Sequence, residues 1–253
     1  METSHLQIIK PNFMKTISQL IIIATFIFSI GLNAQYKSIK ANGNIITQTR
    51  TVANFSKISI SGSFDVTLTK GNEGNISINA SENLMDIIET KVENGILKIK
   101  FKNGINVKNH KTIFITVFYD TVNSISLGGS GDIHSSNTLN ANDLELILSG
   151  SGGFNLAVST TNLNINISGS GNMNIAGKTA VLTCAVSGSG NIKTTDLTAN
   201  IVHAKISGSG NIKVHAVNEI NAKSSGSGNI IYTGNPTIIK SNSSGSGSIQ
   251  KRD

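Results

Sequence analysis

The sequence has one cysteine, two prolines and no tryptophan among its 253 residues. A lone cysteine, Cys184, cannot form a disulfide framework, so packing and backbone hydrogen bonds must stabilise the fold. Charged residues are also few, at 14%, and aromatic residues make up only 5%. Such a composition can indicate disorder, but the apolar residues of this chain are regularly spaced, which argues for a folded chain.

Long apolar runs are also lacking, since the longest one, Leu20–Leu32, has 13 residues. A helix that spans a bilayer needs about 20 apolar residues, so this run is too short. Lys15 precedes the run and the small residue Ala34 follows it, an order that is typical of a secretory signal peptide. We therefore predict that residues 1–34 are a signal peptide, with the true start at Met14 and cleavage after Ala34. The mature chain would be exported to the periplasm, cell surface or extracellular space, without a transmembrane anchor.

The second half of the chain is dominated by a repeat. A Gly-Ser-Gly triplet occurs seven times between residues 125 and 253, at spacings of 18 to 21 residues. In most copies, apolar residues stand two and four positions before and four positions after the first glycine, with polar residues between them. Strict alternation predicts strands with one buried face. The triplets begin at Gly129, Gly150, Gly169, Gly188, Gly208, Gly226 and Gly245.

This repeat predicts an all-β fold, a parallel β-solenoid with coils of about 19 residues and rungs about 4.8 Å apart. Each triplet would mark a corner where the backbone needs a positive φ or leaves no room for a Cβ. The rival fold, an antiparallel sandwich, favours Asn-Gly or Asp-Gly turns, which residues 125–253 lack. We expect residues 35–124 to be a diverged, capping β half with a short helical or turn segment near residues 81–89. The regular repeats at residues 125–253 would continue directly from it.

Four features in order carry a family resemblance. They are the secretory signal, FSKISISGSFDV at residues 55–66, ENLMDIIETKVENGILKIK at residues 82–100, and the repeated SGSGNI. Together they resemble the head GIN domain family of secreted Bacteroidetes-type proteins, often labelled auto-transporter adhesins. The resemblance covers about residues 50–250. It implies a β-helix-like fold and a cell-envelope or extracellular role, and it brings no catalytic residues with it.

Two polar surfaces are candidates for binding a ligand. A ladder of serines and asparagines at the predicted corner can present donors and acceptors to a glycan or a protein, or it can be turn chemistry that repeats with the turn. The segment LKIKFK places lysines on one strand face, which suits an anionic polysaccharide, a lipid head group or a solvated strand edge. It lacks the interleaved aromatic residues that nucleic acid would favour. The candidates are Ser170, Asn172, Ser189, Asn191, Ser209, Asn211, Ser227 and Asn229 at the corner, and Lys98, Lys100 and Lys102 on the strand.

The remaining chemistry is sparse. The segment GGSGD at residues 128–132 lacks the nine-residue period of a calcium-binding repeat, and no histidines cluster with the cysteine, so we expect no metal and no cofactor. The carboxylates are scattered, with Asp65 and Asp132 isolated in the sequence, so we expect no enzyme active site. Cys184 stands in an inward column and is expected to be a core residue.

These observations predict a secreted, non-enzymatic cell-envelope protein, either adhesin-like or a scaffold that binds a glycan or an envelope protein. Two other functions stay open. A polysaccharide-active β-helix enzyme would need two carboxylates about 5–10 Å apart in a groove. A self-assembling structural subunit, similar to curli, would form fibres. A homo-oligomer that covers the polar C-terminal coils is also open.

Overall fold

A computed structural model of the chain describes residues 37–71, 73–108 and 112–252. The predicted signal peptide lies outside these described residues. Within them, no helix has the length and apolar character to cross a membrane. The strands are β1 (Lys37–Lys40), β2 (Ile45–Thr51), β3 (Lys57–Ser61), β4 (Phe64–Lys70), β5 (Asn75–Ser81), β6 (Ile88–Glu93), β7 (Ile96–Phe101), β8 (Ile105–Lys108), β9 (Ile113–Tyr119), β10 (Ser124–Gly129), β11 (Asp132–Ser135), β12 (Leu139–Gly150), β13 (Gly153–Gly169), β14 (Asn172–Gly188), β15 (Asn191–Gly208), β16 (Asn211–Gly226), β17 (Asn229–Thr233), β18 (Ile238–Ser244) and β19 (Ile249–Lys251), with a 3₁₀ helix (Glu82–Ile87) between β5 and β6.

Strands β12 to β16 form the regular part of the solenoid, and each pairs in parallel with the next. The register aligns the triplets, because Gly150 pairs with Gly169, and Gly169 with Gly188. Along β13 the inward alternation is interrupted once near the middle, where the chain turns from one face of the solenoid to the other. The predicted parallel β-solenoid with coils of about 19 residues is therefore confirmed.

The corner of each coil is built by backbone stacked on backbone. At Gly188, φ is +117° and an added Cβ would lie 2.6 Å from the carbonyl oxygen of Gly169 in the preceding coil. At Gly190, an added Cβ would lie 2.6 Å from Cγ2 of Ile167. The carbonyl oxygen of Gly169 also accepts hydrogen bonds from the N–H groups of Ser189 and Gly190, at 2.9 Å each. The triplet recurs because both glycines lack room for a side chain and the first also needs a positive φ.

Inward-facing side chains form one apolar core through the stacked coils. Cys184 belongs to it, in register with Ile165 and Ala204 of the neighbouring coils, so the expected core cysteine is confirmed. Burial raises the pKa of the Cys184 thiol to about 12, because desolvation disfavours the thiolate. The thiol therefore stays protonated and unreactive at neutral pH.

The N-terminal coils are stacked in an order that differs from their order in the chain. Strands β3 and β4 form a coil that lies between two others. Strands β10 and β11 pair with it on one side, and β7 and β9 pair with it on the other. After the coil of β3 and β4, the chain therefore forms the coil of β7 and β9 on one side of it. The chain then returns to the other side, where the stack continues from β10.

Antiparallel strands close the N-terminal end of the solenoid. β6 pairs with β7 on one face, while β5 pairs with β9 and β2 with β5 on the other. Arg50 of β2 links the two faces, because its guanidinium donates to the carbonyl oxygens of Met85 at 2.6 Å and Ile88 at 2.5 Å. At the C-terminal end, all seven residues of β18 are exposed, and β18 pairs in parallel with β16.

Candidate ligand-binding face

One face of the solenoid carries two columns of outward side chains on the strand segments that follow each corner. We call it the asparagine face. The parallel register places equivalent residues of adjacent coils about 4.8 Å apart. The first column contains Asp65, Asp132, Gly153, Asn172, Asn191, Asn211, Asn229 and Ser248, and the second contains Thr67, His134, Asn155, Asn174, Lys193, Lys213, Ile231 and Gln250.

The asparagines of the first column form a continuous hydrogen-bonded ladder. Asn191 Nδ2 donates to Asn172 Oδ1 at 2.9 Å, and Asn211 Nδ2 donates to Asn191 Oδ1 at 3.0 Å. Asn229 Nδ2 continues the ladder by donating to Asn211 Oδ1 at 3.3 Å. Ser248 completes it, since its N–H and its hydroxyl both donate to Asn229 Oδ1. All these bonds run in one direction, so each carboxamide oxygen accepts a bond while each Nδ2 keeps a further hydrogen.

The four candidate serines lie on the corner itself and are exposed to solvent. Their backbone N–H groups donate to glycine carbonyl oxygens of the preceding coil, at 2.9 to 3.0 Å. Corner geometry therefore accounts for the recurrence of a small polar residue there. The serines are Ser170, Ser189, Ser209 and Ser227.

Replacing Asn191 by alanine is expected to lower the free energy of unfolding by about 1–2 kcal/mol, because two ladder bonds are lost and half-buried amide groups lose their partners. Asn174→Ala is the matched control, since Asn174 is exposed in the second column and lies outside the ladder. It should change the free energy of unfolding by less than about 0.5 kcal/mol. Urea denaturation of both variants measures the difference, and equal effects would mean that the ladder adds no stability.

The candidate lysines lie on the opposite face of the solenoid and are largely paired. Lys98 Nζ is 2.6 Å from Glu93 of the neighbouring strand β6, and Lys100 pairs with a second glutamate of β6 at 3.4 Å. Lys91 and Lys98 together lower the pKa of the Glu93 carboxyl to about 2. Lys102 follows the end of β7. The structure therefore separates this lysine group from the asparagine ladder and compensates most of its charge.

A groove of about 620 Å³ lies on the asparagine face, beside the ladder. Its cationic lining consists of Lys193, Lys213 and Arg252. Lys193 and Lys213 are register neighbours in adjacent coils, and both are exposed. Sequence reasoning missed these cations, although each lysine stands two residues after a ladder asparagine, a position that the repeat itself makes visible.

The first column is interrupted at Gly153, where a smaller groove of about 270 Å³ lies between Asp132 and Asn172. A Cβ at Gly153 would lie 2.7 Å from Asp132 Oδ1, so the carboxylate of Asp132 leans over the glycine. Asp65 lies one coil further, with its Oδ1 3.3 Å from the backbone nitrogen of Asp132. The two aspartates, isolated in the sequence, are therefore neighbours in the fold.

An exposed aromatic ring lies at the N-terminal end of the first column. Phe114 of β9 is in register with Asp65 and is 55% exposed. Its ring adds an apolar, solvent-exposed surface at the end of this polar column. Sequence alternation alone could not assign Phe114 to this column, because that assignment depends on the pairing of β9 with β4.

Metal-binding groups do not cluster on this face. Among the described residues, no three His, Cys, Asp or Glu side chains come together in a way that could hold a metal ion. His215 instead shares a hydrogen bond with the hydroxyl of Thr233, with 2.9 Å between Nδ1 and Oγ1. The chemistry of the face is therefore that of hydrogen-bond donors, cations and two carboxylates.

Comparison with known protein families gives one match, over residues 54–236. The description of that family is "Putative auto-transporter adhesin, head GIN domain". The matched region runs from just before β3 to just after β17. It therefore includes six of the seven Gly-Ser-Gly triplets and most of the asparagine face. Comparison with curated proteins gives no match.

Solved structures share the fold over most of the chain. A "putative adhesin" from Bacteroides fragilis is 28% identical, covers 85% of this chain and 100% of its own, and has a TM-score of 0.79. A "putative lipid binding protein" from Parabacteroides distasonis is 29% identical, with coverages of 86% and 100% and a TM-score of 0.75. A "putative adhesin" from Parabacteroides merdae, at 22% identity and a TM-score of 0.68, is similar in fold, with coverages of 86% and 100%.

Proposed function

From the chain's membership of the head GIN domain family of auto-transporter adhesins, we propose that it is an exported, non-enzymatic cell-envelope protein that binds a glycan through its asparagine face. The observation that carries this proposal is the pair of polar columns, which extends over successive coils and contains the amide ladder. Crystal structures of relatives described as adhesins support a role in attachment, and the resemblance seen in the sequence is confirmed.

The composition of the face favours a glycan over a folded protein. Protein interfaces concentrate aromatic and other large apolar residues at their centre. The two columns instead contain Ile231 near one end and Phe114 at the other, with polar residues between them. Carboxamides, carboxylates and cations can bind the many hydroxyl and acidic groups of a polysaccharide. The exposed ring of Phe114 beside Asp65 offers an apolar surface on which a sugar ring can stack.

A glycan array probed with the purified mature chain, residues 35–253, tests this function. We expect retention of one class of polymer and no change in polymer length after prolonged incubation. Absence of retention on every glycan, or cleavage of any polymer, would contradict the proposal. Envelope pull-downs that recover a protein in place of a polysaccharide would also contradict it.

A polysaccharide-active enzyme is a second candidate, and one observation favours it. Asp65 and Asp132 occupy adjacent coils of one column, a carboxylate pair of the kind that glycosidases need. On the opposite face, Asp143 instead accepts a hydrogen bond from Asn162 and Glu145 accepts one from Ser124. Turnover of a polymer by the wild-type chain, abolished by Asp132→Asn, would establish the enzyme.

Self-assembly into fibres is less well supported by the structure. Open-ended stacking of solenoids requires two free ends, and β6, β5 and β2 close the N-terminal end in antiparallel fashion. At the C-terminal end, the exposed strand β18 can pair with a strand of one further molecule. A closed homodimer is therefore the assembly that this arrangement permits, and light scattering of the purified chain would detect it.

A further inference from the structure

Around the 620 Å³ groove, the asparagine face offers more hydrogen-bond donors than acceptors. The ladder engages the Oδ1 atoms of Asn172, Asn191, Asn211 and Asn229 as acceptors. Each of these amides still has at least one N–H available, because a carboxamide carries two donor hydrogens and the ladder uses at most one. Each ladder oxygen has already accepted at least one bond, and the neighbouring Lys193, Lys213 and Arg252 can only donate. The groups that remain for a ligand are therefore mainly donors, which suit an anionic or acceptor-rich partner.

Positive charge is concentrated beside these donors, and no carboxylate of the described residues compensates it. Lys193 and Lys213 are direct register neighbours, an arrangement of like charges that destabilises a sheet. Among the described residues, no carboxylate lies within ion-pair distance of either lysine or of Arg252. Lys98 differs in this respect, since Glu93 lies 2.6 Å from its Nζ.

We propose, resting on the proposed function, that the 620 Å³ groove selects anionic glycans, with Lys193, Lys213 and Arg252 as the subsite for carboxylate or sulfate groups. The ladder amides donate further hydrogen bonds to the same acidic groups and to ring and hydroxyl oxygens. The carboxylate of Asp132, across the Gly153 gap, accepts hydrogen bonds from uncharged hydroxyls and repels acidic groups. An acidic polymer therefore binds with its acidic substituents over the later coils.

The opposite face supplies a matched comparison. Lys205 and Lys223 are also exposed register neighbours. In the preceding coils their column contains Ile147, Asn166 and Ala185, so a single asparagine stands between two apolar residues and no ladder forms there. The groove on that side is smaller, about 370 Å³, and of this lysine pair only Lys205 lines it. Equal charge at equal spacing is thus present on both faces, but the ladder of adjacent asparagines and the third cation of the groove are present on one.

Titration calorimetry with polygalacturonate and with its neutral methyl ester tests the inference. We expect the wild-type chain to bind polygalacturonate at least about tenfold more tightly than the ester, and Lys193→Gln/Lys213→Gln to weaken polygalacturonate binding by tenfold or more, since each lost charge-assisted bond is worth about tenfold. Lys205→Gln/Lys223→Gln should bind like the wild type. Circular dichroism and the unfolding midpoint establish that both double variants are folded.

The outcomes separate this inference from the proposed function. Equal binding of polygalacturonate and its ester overturns the selection for anions and leaves glycan binding intact. Equal losses in the two double variants overturn the assignment to the asparagine face. Binding of phosphatidylglycerol vesicles in place of the polymer overturns the inference in favour of a membrane surface. Absence of binding to any glycan overturns both the inference and the proposed function.

Discussion

Replacing Gly188 by alanine is expected to lower the free energy of unfolding by about 4 kcal/mol or more, because two penalties combine. Gly188 has a φ of +117°, which an L-residue rarely adopts, and its added Cβ would lie 2.6 Å from the carbonyl oxygen of Gly169. That oxygen belongs to a stacked backbone and accepts two hydrogen bonds from the next coil. It cannot move away without disturbing the corner above and below.

Gly71→Ala is the control for the backbone conformation alone. Gly71 has the same φ of +117°, but nothing lies within 4 Å of its added Cβ. This variant should lose only about 1–2 kcal/mol, the cost of the strained φ. Chemical denaturation of both variants gives the difference, which measures the stacking of coils at the corner. Equal losses for Gly188→Ala and Gly71→Ala would mean that the corners are not in contact.

Replacing Phe64 by glycine is expected to destabilise the protein by about 4–5 kcal/mol, although it restores the repeat consensus. In the first coil, Gly62-Ser63-Phe64 takes the place of the Gly-Ser-Gly triplet. The ring of Phe64 is fully buried, with its Cε2 2.7 Å from where a Gly62 Cβ would lie and its centroid 4.7 Å from that of Phe101. It fills the space at the capped end of the glycine column, so glycine would leave a cavity.

Phe64→Leu is the conservative control, because leucine refills most of that cavity and should lose much less stability than glycine. Thermal or urea unfolding of both variants gives the comparison. If Phe64→Gly were as stable as the wild type, the first coil would be an ordinary member of the repeat. The account of the N-terminal end as a cap would then be wrong.

The sequence repeat was sufficient to predict the regular coils, because each glycine and each inward apolar residue recurs at the same phase. Gly150, Gly169 and Gly188 meet in register as the spacing indicated. The physical constraint is local, since every corner must fit directly on the next. This constraint requires glycine at the same position of every repeat, so the corners can be predicted from the sequence alone.

The arrangement of the first half could not be predicted in the same way. Strands β7 and β9 lie on one side of β3 and β4, while β10 and β11 lie on the other. The order of these coils is set by pairings between strands that are far apart in the sequence. No periodic signal records that choice, so the neighbouring positions of Asp65 and Asp132 were not foreseen.

The candidate site was only half visible in the sequence for a related reason. The asparagine ladder follows the repeat and was identified, but the sequence could not show that its oxygen atoms all accept bonds from the next coil. The lysines of LKIKFK were a candidate site for an anionic ligand because they cluster in the sequence. Glu93 on the adjacent antiparallel strand instead forms an ion pair with Lys98. Lys193 and Lys213 have no ion-pair partner among the described residues. They are twenty residues apart in the chain and become neighbours only in the stack.

Lysine acylation, read by mass spectrometry with and without bound acidic polysaccharide, tests most directly whether the asparagine face is the ligand-binding surface. We expect the polymer to protect Lys193 and Lys213 and to leave the reactivity of Lys205 and Lys223 unchanged. Protection of Lys205 and Lys223 instead, or equal protection of both pairs, would contradict it.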